Sequence, residues 1–156
     1  MYDWTVLNQT VSAALAASRV GTPVFVRWTA SVAHTEDELR PLLFEMSDYS
    51  ALWLASNPRK LYAAGADSRG HLSLALDYLN GSSALLAIAL AHGRPELDLA
   101  IYGSDGAIYH SGARALPRLS STAGLSVPTA APMLPAALEE SLAANQPVSL
   151  SENGGR

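Results

Sequence analysis

Few side chains in this sequence are spaced for chemistry. The histidines, His34, His71, His92 and His110, are scattered, and no two stand at the spacing with which a helix or hairpin offers paired ligands to a metal. No metal site is expected. There is no cysteine, which excludes disulfides, thiolate ligation and a cysteine nucleophile. Ser47 lies between Glu45 and Asp48 but has no evident general base, so nucleophilic catalysis is not indicated. His71 and Asp77 fall on one face of an alternating run, and Asp98 belongs to the same side of a sheet. Such a face either binds a sugar-like ligand or meets solvent, and half-exposed antiparallel sheets usually do the latter. Gly103-Ser104-Asp105-Gly106 looks like a phosphate cradle in composition only. It joins two strand-like runs and has no helix after it.

The elements that must position these groups are legible from periodicity. From His71 to Tyr78, Leu72, Leu74, Leu76 and Tyr78 alternate with His71, Ser73, Ala75 and Asp77, the mark of a strand with one buried face. Asn80-Gly81 suits a type I′ hairpin, in which both residues take positive φ. Ser83 to Ala91 is apolar on both faces and belongs inside a sheet. His92–Pro95 turns the chain, Leu97, Leu99 and Ile101 alternate with Glu96, Asp98 and Ala100, and Ala107–Ser111 follows. Together these runs predict an antiparallel meander. Residues 4–19 have helical spacing, with Asp3 as a cap, Gly21 as the left-handed terminator and Pro23 as the stop. Pro23–Val32 is β-branched and aromatic, hence a strand. Thr35-x-x-Glu38 has the form of a capping box. Pro41 gives a turn or a kinked start to a helix from Leu42 to Ala55, striped by Leu42, Met46, Tyr49 and Trp53. Lys60–Ala66 is a short strand. Residues 112–132 have no usable period and read as a loop or crossover. Met133–Ala144 is helical, Pro147–Leu150 is an edge strand, and 151–156 is a frayed end. The expected fold is α+β: one domain over 1–156, with an open, mostly antiparallel sheet and helices packed on one face.

Composition narrows the function classes. With 49% hydrophobic and 15% charged residues over 156 positions, the chain can bury a substantial core. A net charge of −4 with no basic cluster argues against nucleic acid as a partner. No apolar run reaches the roughly 18 residues of a membrane helix, and no basic stretch followed by a long apolar one suggests a signal peptide. A cytoplasmic protein, with no membrane partner, is expected.

The order of these elements and turns resembles the C-terminal substrate and dimerisation domain of the glucose-fructose oxidoreductase / inositol dehydrogenase / MocA (Gfo/Idh/MocA) family. The resemblance rests on Gly21-Thr22-Pro23 running into Val24–Arg27, on Leu52–Pro58 followed by Leu61-Tyr62-Ala63, and on the Leu79–Ala84 hairpin. It rests also on Leu99–Gly106 and on Ala137–Leu142 followed by Pro147-Val148-Ser149. The family's dinucleotide-binding motif is absent. Its catalytic His-x-x-Asp pair, counted back from Trp53, falls on Met46 and Tyr49. A thioether cannot relay a proton at neutral pH, so no catalytic residue and no bound cofactor are expected of this chain. The resemblance implies a stand-alone, oxidoreductase-like module for dimerisation or ligand binding. The alternative is the substrate-domain subunit of a split NAD(P)-dependent sugar or polyol dehydrogenase whose Rossmann domain is a separate chain. Glu45, Asp48, Tyr49, His71 and Asp77 are the candidate vestigial ligand face, and Arg27, Trp28 and Tyr102 the candidate face of a homodimer formed through the sheet.

Overall fold

A computed structural model describes residues 4–33, 39–92, 95–112 and 132–150. The capping residues Asp3 and Thr35-x-x-Glu38, most of the 112–132 crossover and the 151–156 tail lie outside them. The elements run α1 (Thr5–Ala16), β1 (Pro23–Val32), α2 (Leu39–Leu54), β2 (Pro58–Ala66), a 3-10 turn (Asp67–Arg69), β3 (His71–Tyr78), β4 (Ser83–Leu90), β5 (Glu96–Gly103), β6 (Ala107–Gly112), α3 (Leu134–Ala144) and β7 (Val148–Ser149). The strands form one sheet in the order β6-β5-β1-β4-β3-β2-β7. Every pair is antiparallel except β1 with β4. The α+β expectation, with an open and mostly antiparallel sheet, holds.

The meander does not. β1 inserts between β4 and β5, pairing in parallel with the first and antiparallel with the second. The connection after His92 therefore carries the chain past a strand rather than folding it back on its neighbour. The all-apolar character of β4 fits this position, because β4 is flanked on both edges by β1 and β3 and is buried on its inner side at Ala84, Leu86 and Ile88.

Two local expectations also change. At Asn80-Gly81 only Gly81 has positive φ, +86°. The turn is closed by Gly81 N–H donating to Tyr78 O, and Tyr78 N–H donates to Ser82 O, which matches the three-residue hairpin rather than the two-residue type I′. Asn80 is freed to act as a clasp: its Nδ2 donates to Leu54 O at the end of α2, and its Oδ1 accepts from Ser82 N and Oγ. At the end of α1 the left-handed residue is Ser18 (φ +52°), not Gly21. Gly21 (φ +68°) instead makes room for the β5–β6 turn, since a Cβ there would lie 2.2 Å from Ser104 Oγ.

The core fills the space between the inner sheet face and the helices. Val26, Trp28 and Ala30 of β1, Leu72, Leu74 and Leu76 of β3, and Leu97, Leu99 and Ile101 of β5 meet Leu43, Met46 and Trp53 of α2. The expected α2 stripe is the one that is buried. Pro41 is the third residue of that helix, where a missing N–H costs no intrahelical bond. Trp4 just before α1, Leu7 of α1, and Leu134 and Leu138 of α3 extend the same core, so the helices share one side of the sheet.

Candidate functional site: the uncovered sheet face

The α2 position that the resemblance marks for catalysis is filled by packing. Met46 is fully buried and Tyr49 nearly so. Around them stands an aromatic stack: Trp28 and Trp53 have ring centroids 5.1 Å apart, Tyr49 and Trp53 6.0 Å, and Trp4 meets Trp28 edge-on at 5.0 Å. Trp53 Nε1 donates to Asn8 Oδ1 at 2.8 Å, fastening α1 over α2. The Met46 thioether has no proton to exchange at neutral pH. Beside it, Tyr78 is wholly buried, and its hydroxyl and Trp28 Nε1 have no hydrogen-bond partner among the described residues. Burial, with the charge of Asp48 adding to it, raises the Tyr78 phenol well above its ordinary value.

The expected ligand face is divided between two sides of the molecule. Glu45 and Asp48 are half-buried on α2, and Tyr49 is in the core. His71 and Asp77 are exposed on the opposite, outer face of the sheet, with Asp98 in a neighbouring row. The dimer set is divided too. Arg27 and Tyr102 point outward, whereas Trp28 is 0% exposed and faces the helices. Successive strand residues point to opposite faces, so Arg27 and Trp28 cannot share one.

What the outer face does bring together is an orderly set of rows. Across β6, β5, β1, β4, β3 and β2 one row reads Tyr109, Ala100, Arg27, Leu85, Ala75, Tyr62. The next, toward the start of β5, reads Ser111, Asp98, Thr29, Ala87, Ser73, Ala64. The centre is small or flat, and Leu85 is 43% exposed there. One corner is aromatic: Phe25 and Tyr102 rings lie 5.9 Å apart, and Tyr102 meets Tyr109 edge-on at 5.7 Å. Tyr109 is 67% exposed. Its side-chain hydrogen bond with Tyr102, more than its slight desolvation, raises its phenol above the ordinary value, while Arg27 opposes the shift. Tyr109 and Leu85 are not among the expected face residues; alternation from Ala84 places Leu85 outward, whereas the side taken by Tyr109 follows only from the β5–β6 register.

On the helix side, a cleft of about 470 Å³ is lined by Arg40, Asp67, Ser68, Glu139 and Leu142, among others. Arg40 Nε donates to Asp67 Oδ2 at 2.6 Å, and Nη1 donates to Glu139 Oε1. The guanidinium thus ties α2 to the β2–β3 connection and to α3. No sequence signal links residues so far apart in the chain. Among the described residues, no three His, Asp or Glu side chains are grouped to hold a metal, and no helix is long and apolar enough to cross a membrane.

No protein-family model and no curated protein matches the sequence. Solved structures do match in fold. A chain described as a probable dehydrogenase from Thermotoga maritima aligns with TM-score 0.73 and 13% identity over 94% of this chain and 62% of its own. A myo-inositol dehydrogenase from Corynebacterium glutamicum aligns with TM-score 0.67 and 12% identity over 92% of this chain and 61% of its own. A scyllo-inositol dehydrogenase from Lactobacillus casei, with bound NAD(H) and scyllo-inositol, gives TM-score 0.60 and 11% identity over 91% and 61%. This chain therefore spans about six-tenths of the length of these neighbours. The fold resemblance drawn from the sequence to one domain of the Gfo/Idh/MocA proteins is shown.

Proposed function

We propose that this chain is an oxidoreductase-like module without catalysis of its own, and that it works as a homodimer joined through the outer face of its sheet. The observation that carries the first half is the occupant of the α2 site: Met46 and Tyr49, locked in an aromatic core. A buried thioether at Met46 cannot relay a proton. Supporting the second half is the outer face itself, broad, centred on small side chains and Leu85, and edged by Tyr62, Tyr102 and Tyr109. Tyrosine and arginine are enriched at the energetic centres of protein interfaces, and Arg27 stands between the aromatic corner and Leu85.

Sedimentation equilibrium tests the reading, together with an assay of NAD(P)H formation from inositols. A dimer that is inactive is expected. A monomer, or turnover of a polyol by this chain alone, overturns it.

A second reading, the substrate-domain subunit of a split NAD(P)-dependent sugar or polyol dehydrogenase, has one supporting observation. About four-tenths of each fold neighbour's own length lies outside the alignment, and among the neighbours is an enzyme with NAD(H) bound. Native mass spectrometry of the protein drawn from its host's lysate distinguishes the two. A dinucleotide-binding chain co-purifying in fixed ratio favours the split enzyme, and a homodimer alone favours the module.

A further inference from the structure

The Asn80-Gly81 pair carries a reactivity that no other described asparagine shares. Asn8 and Asn145 are followed by glutamine, and Asn57 by proline. Among the described residues, only Gly81 offers the preceding carboxamide a peptide nitrogen with no side chain to hinder its approach. In the reaction this permits, Gly81 N–H gives its proton to hydroxide and the nitrogen attacks Asn80 Cγ. A C–N bond forms, the Cγ–Nδ2 bond breaks, and Nδ2 leaves as ammonia after taking a proton from water. Water then opens the succinimide ring at either carbonyl, leaving aspartate or isoaspartate. Water is the only co-reactant.

Packing does not shield this site. Asn80 is exposed, and a Cβ added at Gly81 would meet nothing within 4 Å among the described residues. Hydrogen bonding does shield it. Gly81 N–H, whose proton must be lost, donates to Tyr78 O at 3.1 Å. The carboxamide that must be attacked is held at both ends. Its Nδ2 donates to Leu54 O at 2.9 Å, and its Oδ1 accepts from Ser82 N at 3.0 Å and from Ser82 Oγ. The turn is docked on the exit of α2 as well, with Leu79 N–H donating to Asn57 O and Asn80 N–H to Ser56 Oγ. The two Ser82 donors would by themselves favour attack, by holding negative charge on Oδ1. The bond made by Gly81 N–H outweighs them. A peptide nitrogen that keeps its proton has its lone pair delocalised into the carbonyl and is no nucleophile.

The product cannot restore the clasp. A carboxylate at position 80 only accepts, so it has nothing to donate to Leu54 O and is set against that oxygen's own negative charge. Isoaspartate also adds an atom to the main chain, within the turn that sets the β3–β4 register.

We infer that Asn80 is a self-modification site held closed by the fold: it converts when the β3–β4 turn lets go of α2, and conversion keeps the turn from docking again.

Trypsin does not cut at Arg94-Pro95, so the fragment 70–114 carries Asn80 as its one asparagine. The mass of that fragment reports the change from amide to acid. In denaturing urea at neutral pH, Asn80 is expected to convert at close to the rate of Asn153, which also precedes glycine. In native buffer at the same pH it is expected to convert at least about tenfold more slowly, since several hydrogen bonds must open together. Ser82→Ala is expected to raise the native rate and to leave the rate in urea unchanged. Asn80→Asp, which makes one product directly, is expected to quicken amide exchange at Leu79 and Gly81. Conversion in native buffer as fast as in urea, or none in urea, overturns the inference. So does a native rate that fails to rise in Ser82→Ala, or wild-type exchange at Leu79 and Gly81 in Asn80→Asp.

Discussion

At the scale of single residues, the telling substitutions are those that turn a polar site into packing. Met46 and Tyr49 stand where the resemblance puts a proton relay, and both are core side chains. Tyr78 is the exception, a phenol sealed in the core whose hydroxyl lacks a partner among the described residues. Removing an unpaired buried hydroxyl costs little, because the group had already lost its water. Tyr78→Phe is expected to leave stability unchanged or to raise it by about 1 kcal/mol, measured by urea denaturation. The pH dependence carries a sign. Burial raises the folded-state value above the ordinary 10.0, so above that pH the unfolded chain releases a proton that the folded chain keeps. Stability contributed by Tyr78 is full below pH 10.0 and falls as pH rises beyond it, by up to about 1.4 kcal/mol per unit. Tyr78→Phe should flatten this alkaline slope in denaturation midpoints taken from pH 9 to 11.

Elements are joined by a few hydrogen bonds that propensity does not foretell. β7 has only two residues and pairs with Lys60 and Leu61, so it leaves the N–H of Ala63 at the edge of β2 without a strand partner. Ser141 of α3 supplies one: its Oγ accepts from Ala63 N at 2.9 Å and donates to Gln146 O at 2.7 Å. The hydroxyl thus closes a sheet edge that would otherwise invite pairing with another chain. Ser141→Ala should cost about 1–3 kcal/mol, the penalty for a buried amide left unpaired, read as a lowered urea midpoint. Asn80→Ala should cost about 1–2 kcal/mol by releasing the β3–β4 turn from Leu54 O, and amide exchange at the end of α2 should quicken. The helix stripes and strand alternations were open to reading from sequence because they depend on neighbours a few positions away. The clasps at Asn80 and Ser141 were not, since each side chain has partners that only the folded arrangement brings near.

For the molecule as a whole, the outer sheet face is the surface through which the dimer is proposed. Leu85 lies at its centre, 43% exposed and beside the midpoint between β1 and β4. Leu85→Arg is expected to dissociate the proposed dimer, since a charge buried there without a counter-ion is costly. In the isolated chain it should change stability by less than about 0.5 kcal/mol, as surface substitutions generally do. Sedimentation and thermal melts at low concentration separate the two effects; dissociation accompanied by unfolding would refute the placement of Leu85 outside the core.

Alternation made known which residues of each strand share a face, and spacing made known which residues of α2 are buried, because both are properties of a local backbone repeat. That is why Leu72, Leu74 and Leu76 were recognisable as core and His71 and Asp77 as their opposites. Strand order is another matter. Nothing in the run from His71 to Ser111 tells that β1, more than fifty positions upstream of β4, enters between β4 and β5. That choice belongs to long-range pairing and to the burial of Trp28 beneath α2, which sums over the entire core. The outer face, with Tyr109, Arg27 and Leu85 in one row, exists only because of that insertion.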